Sequence, residues 1–311
     1  MNKLICIGGP TASGKTGLSI ALAKELDGEI VSCDSMQVYR RMDIGTAKPD
    51  LEEREGIAHH MLDVAEPDED FSVSRYCRMA SPIIDDILAR GKTAIIVGGT
   101  GLYMDSLIKG NDFAPFPSTG RREELEAQAA REGIEPLMEQ LRAIDPDSAE
   151  RLHPADQKRI IRALEVYLET GITITEHNRR TQAIPPRYSP LWLAIEDADR
   201  QTLYDRINRR VDRMLEQGLI QEIQNLLEEG ISPACTAMQA IGYKEFVGAL
   251  QGQCSIESAA EQVKQASRNY AKRQLTWFRR NKAIHWLLRQ QDTSGEEILE
   301  NARRIACNFD N

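Results

Sequence analysis

Short, wholly apolar runs alternate along this chain with longer stretches whose apolar residues recur every three or four positions. Leu4-Ile5-Cys6-Ile7 is the first such run, and its lack of alternation marks a strand buried on both faces of a parallel sheet. Behind it Leu18, Ala21, Leu22 and Leu26 repeat at helical spacing. Strand character returns at 29–33, 60–64, 93–97, 191–195 and 283–287, and the helical period at 72–90, 202–217 and 257–280. Strands alternating with helices predict an α/β protein, a parallel sheet flanked by helices. One region departs from this. Residues 113–118 read as a linker, and from Arg121 to about Thr181 the strand signal gives way to charged helical segments at 123–132, 136–144 and 157–170. The pattern predicts a core domain of residues 1–113 and 189–311, interrupted by an all-helical insertion over 114–188.

The turn between the first strand and helix is Gly9-Pro10-Thr11-Ala12-Ser13-Gly14-Lys15-Thr16, which fits the P-loop pattern G-x-x-x-x-G-K-[ST] in the right context. Glycines let the backbone curl until several N–H groups face one anion, and the helix start adds positive potential. Gly9, Thr11, Ala12, Ser13, Gly14, Lys15 and Thr16 are therefore candidate diphosphate-binding residues. Lys15 supplies a mobile charge, and the Thr16 hydroxyl is the candidate Mg²⁺ ligand. Asp34 follows the second strand, and open parallel sheets bind ligands at the carboxyl ends of their strands, so it is expected beside the P-loop. A helix cap or a Mg²⁺ ligand is its alternative role. Residues 34–49 are polar, lack a helical period and close on proline, as an active-site loop would. After 93–97 comes Gly98-Gly99-Thr100-Gly101, where a nucleotide hydrolase would carry an acidic residue. Small residues there predict the close approach of another molecule.

Cations gather in three places. Lys158, Arg159 and Arg162 cluster near a helix start, where they oppose the helix dipole and suit an external anion. Arg206, Arg210 and Arg213 share one helix face and suit a phosphate-rich ligand, unless Asp205 and Asp212 engage them. Lys264, Arg268, Lys272, Arg273, Arg279 and Arg280 interleave with Tyr270, Trp277 and Phe278, a combination that can track a nucleic-acid backbone and stack on bases.

Composition changes this picture little. A net charge of −9 over 311 residues does not advertise nucleic-acid binding, but local stripes decide such binding. The six cysteines form no C-x-x-C pair, which argues against structural zinc or a disulfide framework, and Cys6 and Cys33 are expected in the core. The apolar runs are too short to cross a bilayer and no signal-peptide pattern opens the chain, so a cytoplasmic protein is expected. A monomer is expected in the absence of a heptad seam.

Five segments carry a resemblance: G-P-T-A-S-G-K-T at 9–16, V-S-C-D-S-M-Q-V-Y-R-R-M-D-I-G-T-A-K-P at 31–49, I-I-V-G-G-T-G-L-Y at 95–103, A-L-E-V-Y at 163–167 and A-K-R-Q-L-T-W-F-R at 271–279. Together they resemble the bacterial tRNA dimethylallyltransferases, or tRNA isopentenyltransferases. The resemblance implies a P-loop kinase-like core with a helical insertion. It implies transfer of a dimethylallyl group from its diphosphate to the exocyclic amine of the adenosine 3′-adjacent to the anticodon. By the same resemblance Lys15, Thr16 with Mg²⁺, Arg206 and Arg210 would neutralise the leaving diphosphate, and Asp34 would be the general base. Ser35, Met36 and Gln37 would line the pocket for a flipped adenosine, and Thr100 would contact the RNA. Lys158, Arg159, Arg162, Gln239, Gly242, Tyr243 and Lys244 would touch the tRNA, although the family places arginines where this chain has Gln239 and Lys244. An ATP-dependent kinase explains the P-loop but not the Gly-Gly-Thr strand end. A GTP switch should carry N-K-x-D, and Asn281-Lys282-Ala283-Ile284 lacks the aspartate.

Overall fold

The computed structural model describes residues 4–110, 119–183 and 185–309, so the linker expected at 113–118 lies outside the described residues. The chain divides into two compact units, residues 1–110 with 187–311, and residues 111–186. The first begins with β1 (Leu4–Gly8), α1 (Lys15–Glu25), β2 (Gly28–Ser32), β3 (His59–His60), α2 (Val73–Ala89), β4 (Thr93–Val97) and α3 (Gly101–Lys109). The second unit holds α4 (Arg121–Glu132), α5 (Glu135–Ile144), α6 (Pro146–Arg151), α7 (Gln157–Thr170) and α8 (Ile174–Ala183). The first unit resumes with β5 (Leu191–Asp197), α9 (Arg200–Glu216), α10 (Leu219–Glu228), α11 (Tyr243–Leu250), α12 (Ile256–Phe278), β6 (Ile284–Arg289) and α13 (Gly295–Asn308).

Six strands form one all-parallel sheet in the order β3-β2-β4-β1-β5-β6. In register, Ile5 of β1 lies between Ile95 of β4 and Leu191 of β5. β1 and β2 are buried along their whole length, which is why β1 runs apolar without alternation, whereas β2 also buries Glu29 and Ser32. Leu18 and Leu22 of α1 and Ile298 and Ala302 of α13 join Ile7, Ile30, Ile95 and Leu193 in one core. Cys6 and Cys33 are wholly buried, as expected. The sequence expectations do not include α10, α11 or α13, although the Ser294/Glu297 capping box marks the start of the last.

The strand expected over 60–64 shortens to His59–His60. Met61 and Asp63 adopt φ of 63° and 56°, outside any strand conformation. Beyond that turn the N–H groups of Val64 and Ala65 both reach the carbonyl of Val38 instead.

The helical unit has its own core of Leu125, Leu137, Leu141, Ile160, Ile161 and Leu164. Leu168, at helical spacing from Ile161 and Leu164, is 48% exposed, whereas Ile160 is buried in this core. Buried Asp145 organises two short helices absent from the sequence expectation: it caps α6 at Ser148 and accepts the Thr175 N–H and hydroxyl at 3.0 and 2.7 Å. Tyr188 belongs to the first unit, its hydroxyl donating to Asp85 at 2.7 Å.

Candidate active site

The P-loop leaves β1 at the carboxyl edge of the sheet. Gly9 has φ 130°, and a Cβ there would stand 2.9 Å from the Ile195 carbonyl; Gly14 caps α1 at φ 87°. Lys15 Nζ donates to the Pro10 carbonyl at 2.6 Å, closing the loop over itself. Burial, with Arg210 adding to it and Asp34 opposing, pushes the Lys15 pKa down to about 7. Thr16 is exposed at the start of α1. Thr11 N–H donates to Gln274 Oε1 at 2.8 Å, and Gln274 Nε2 donates to the Gly99 carbonyl at 3.0 Å. One buried side chain of α12 thus ties the P-loop to the end of β4.

Arg206 corrects an expectation. Its Nε donates to the Ala12 carbonyl at 3.1 Å and its guanidinium pairs with Asp197, rather than facing a phosphate cradle. Arg289 of β6 does the same for the next residue, donating to the Ser13 carbonyl at 2.7 Å. In a trans peptide the carbonyl and the following N–H point in opposite directions. The two arginines therefore hold the carbonyls on one side and turn the N–H groups of Ser13 and Gly14 to the other. Arg210 is the member of the stripe that lines the crevice, with burial lowering its pKa and Asp34 opposing that shift. The aspartates that could have engaged the stripe are bonded elsewhere, Asp212 to Lys264 at 2.7 Å and Asp205 to Gln201 at 2.8 Å.

Asp34 stands just past the end of β2. Its Oδ1 accepts the N–H groups of Met36 and Gln37 at 2.9 and 3.4 Å, a side-chain-closed turn rather than a helix cap. Thr100 Oγ1 accepts the Ser35 N–H at 3.1 Å. Gln37 is spent within the loop, donating to the carbonyls of Thr46 and Ala47 at 3.2 and 3.1 Å. Lys48, almost wholly buried, bonds the Tyr39 carbonyl, Asp43 and Asp63 at 2.7, 2.6 and 2.6 Å. The glycines at the β4 end admit the protein itself, and Gly98 and Gly99 also line the smaller cavity beside the P-loop. A Cβ at Gly98 would fall 1.9 Å from the Cys33 carbonyl, at Gly99 2.1 Å from Gln274, and at Gly101 2.2 Å from Trp277.

Asp34, Thr11, Arg210 and Tyr270 line both a cavity of about 380 Å³ and a smaller one of about 90 Å³ that also takes in Lys15 and Thr16. Ile207, Val211, Met214 and Val263 give the larger cavity an apolar side. Ser35, Met36, Gln239, Gly242 and Lys244 line it too.

Tyr243 is a second correction. It was expected to touch RNA, but its side chain is wholly buried and its hydroxyl donates to Glu222 at 2.6 Å. A third concerns the α12 aromatics. Phe278 is buried against Gly8, and Trp277 Nε1 donates to Asp105 at 2.9 Å, so both serve packing. Lys158, Arg159 and Arg162 are exposed on α7 of the helical unit, with Arg159 near Asp156 at 3.4 Å and Arg162 on Glu165 at 2.8 Å. Gln274, Arg289, Asp197 and Glu222 escaped the sequence reading. Nothing in spacing marks them, although an uncharged Gln274 inside a basic stripe is a usable signal.

A strand–glycine loop–helix cradle at the carboxyl edge of a parallel sheet, with a carboxylate on the neighbouring loop, is a P-loop architecture with a site suited to a phosphate-bearing ligand. A family model described as IPP transferase matches residues 37–281. The chain is 46% identical over 310 residues to a tRNA dimethylallyltransferase of Acetivibrio thermocellus, covering 99% of each. A full-length tRNA isopentenylpyrophosphate transferase from Bacillus halodurans superposes with a TM-score of 0.75 at 42% identity, over 100% of this chain and 97% of that one. A eukaryotic dimethylallyltransferase acting on tRNA superposes with a TM-score of 0.83 at 33% identity, over 100% of this chain and 79% of that one. The chain belongs to the IPP transferase family.

Proposed function

We propose that this enzyme transfers the dimethylallyl group of dimethylallyl diphosphate to the N6 amine of the adenosine 3′-adjacent to the anticodon in tRNA, releasing diphosphate. The observation that carries the reading is that Asp34 and the basic side chains Lys15 and Arg210 share one crevice, while the chain belongs to a family of prenyltransferases. The C–O bond to diphosphate breaks, the N6–C bond forms, and the N6 proton passes to Asp34. Diphosphate charge grows as the C–O bond lengthens, and Lys15 and Arg210, which line the crevice, would meet it there. The adenine amine is a weak nucleophile whose proton becomes acidic as the N–C bond forms, which suits a carboxylate base. An anticodon-loop base is stacked, so it must flip to enter the cavity.

Among the described residues no cluster of three or more His, Cys, Asp or Glu could hold a metal. That fits Mg²⁺, which keeps waters and binds through few protein oxygens plus phosphate. Thr16 would be its protein ligand, and bound Mg²⁺ would neutralise the departing diphosphate. The exposed Lys158, Arg159 and Arg162 are suited to the tRNA backbone.

The test is nucleoside mass spectrometry of unmodified tRNA incubated with the protein, Mg²⁺ and dimethylallyl diphosphate. A dimethylallyl mass gain on that adenosine, lost with Asp34→Asn, is the expected result. No gain on any tRNA would overturn the reading.

A further inference from the structure

Three consecutive backbone N–H groups, those of Asp43, Ile44 and Gly45, converge on the Glu222 carboxylate of α10 at 2.8, 2.7 and 3.1 Å. The same carboxylate accepts the Tyr243 hydroxyl at 2.6 Å. Such a run of N–H groups is an anion nest, and here its occupant is a side chain of the protein. Burial and the Glu222 charge hold the Tyr243 phenol in its protonated, donating form. The Tyr243 ring fills the space above Gly45, where a Cβ would fall 2.5 Å from it. The nest therefore joins the loop carrying Asp34 to the segment that leads into α11.

Both segments wall the larger cavity, Asp34, Gly45 and Thr46 from one and Gln239, Gly242 and Lys244 from the other. The rest of the loop is tied within itself by Gln37 and by Lys48 on Asp43, and to residues 63–66 by Lys48, Arg40 and Arg41, but none of these ties reaches the 239–244 segment. An exposed pair, Arg41 with Glu229 at 3.4 Å, is a weak second link. We infer that Glu222 is a positioning residue, whose carboxylate in the 43–45 nest sets the Asp34 loop against the 239–244 segment and so fixes the width of the cavity for the acceptor base. The assignment of that cavity rests on the function proposed above. A carboxylate is required because all four partners donate, and a glutamine would turn an NH₂ group toward some of them.

Glu222→Gln, Glu222→Asp and Tyr243→Phe test this. Amide hydrogen exchange at 43–45 is expected to quicken about tenfold in Glu222→Gln, the equivalent of one or two lost hydrogen bonds. Turnover should fall about tenfold or more, while affinity for inorganic pyrophosphate with Mg²⁺, read by calorimetry, stays within about twofold, because Gln274, Arg206 and Arg289 still hold the P-loop. Glu222→Asp should recover part of the turnover. Tyr243→Phe removes one donor of the four and should fall between; it carries the same test if Glu222→Gln does not fold. Unchanged exchange at 43–45, or pyrophosphate affinity falling together with turnover, overturns the inference. If the wild-type protein prenylates no tRNA, the functional reading fails, and the exchange readout still decides the role of Glu222.

Discussion

Two loops meet in the crevice, and they are held in different ways. The P-loop is short, bent by its own backbone through Gly9 and Gly14 at positive φ and Lys15 folded back on Pro10, and fastened from behind by Gln274, Arg206 and Arg289. The 34–49 loop is longer; it has backbone turns, with Arg41 and Ala47 at positive φ and a bridge from Tyr39 to Ala65, but relies more on side chains. Its shape comes from side chains placed at intervals, Asp34 on 36 and 37, Gln37 on 46 and 47, Lys48 on 43 and 63, and Glu222 from another element. A loop of the first kind presents N–H groups to any phosphate. A loop of the second kind is specific to one arrangement, and losing one tie disturbs the rest.

The largest separation between the two should come from Asp34→Asn. Turnover is expected to fall by about 10² to 10⁴ while pyrophosphate affinity is kept, since asparagine retains an oxygen for the Met36 and Gln37 N–H groups but cannot take the proton. Loss of both together would make Asp34 part of the phosphate site. Next, Gly98→Ala should destabilise the fold by about 3 kcal/mol, because its Cβ would collide with the Cys33 carbonyl beneath the Asp34 loop. A urea midpoint like that of the wild type would show that this approach can relax. Lys15→Ala isolates the other loop, weakening pyrophosphate binding about tenfold or more with little change in tRNA binding. Equal losses on both ligands in calorimetry would contradict the division of labour.

A smaller effect concerns the strand beneath Asp34. Arg90 first, then His60 and Lys92, hold the Glu29 carboxyl far below the ordinary carboxylate range against the cost of its burial. A depressed carboxylate contributes stability at pH values above its unfolded pKa, and that contribution is lost as pH falls through the folded value. Glu29→Gln should therefore lower the urea midpoint at pH 7 and flatten the acid limb below about pH 4. An acid limb as steep as the wild type's would remove Glu29 from that account.

The sequence disclosed most about the first loop and least about the second. The P-loop is contiguous, so one motif carries its residues, and Asp34 could be placed because a strand visibly ends before it. Arg206 could not be placed. Helical spacing says which face a residue shares, but not whether its guanidinium meets a carbonyl behind the loop or an anion in front of it. Gly98, Gly99 and Gly101 announced a close approach, yet the approaching groups are Cys33, Gln274 and Trp277, the latter two distant in sequence and visible only in the fold. Tyr243 fell in a recognisable segment whose exposed and buried members alternate without a period, so its burial was hidden.

The bridge made by Gln274 bears on how the protein comes into being. Synthesis proceeds from the N-terminus, and domains fold as units while the chain emerges. The phosphate loop leaves the ribosome well ahead of the group that fastens Thr11 to Gly99, which arrives 263 positions after Thr11, with Arg289 later still. A nascent chain of this protein thus carries its motif long before it carries a finished site, and catalytic competence waits for α12 and β6.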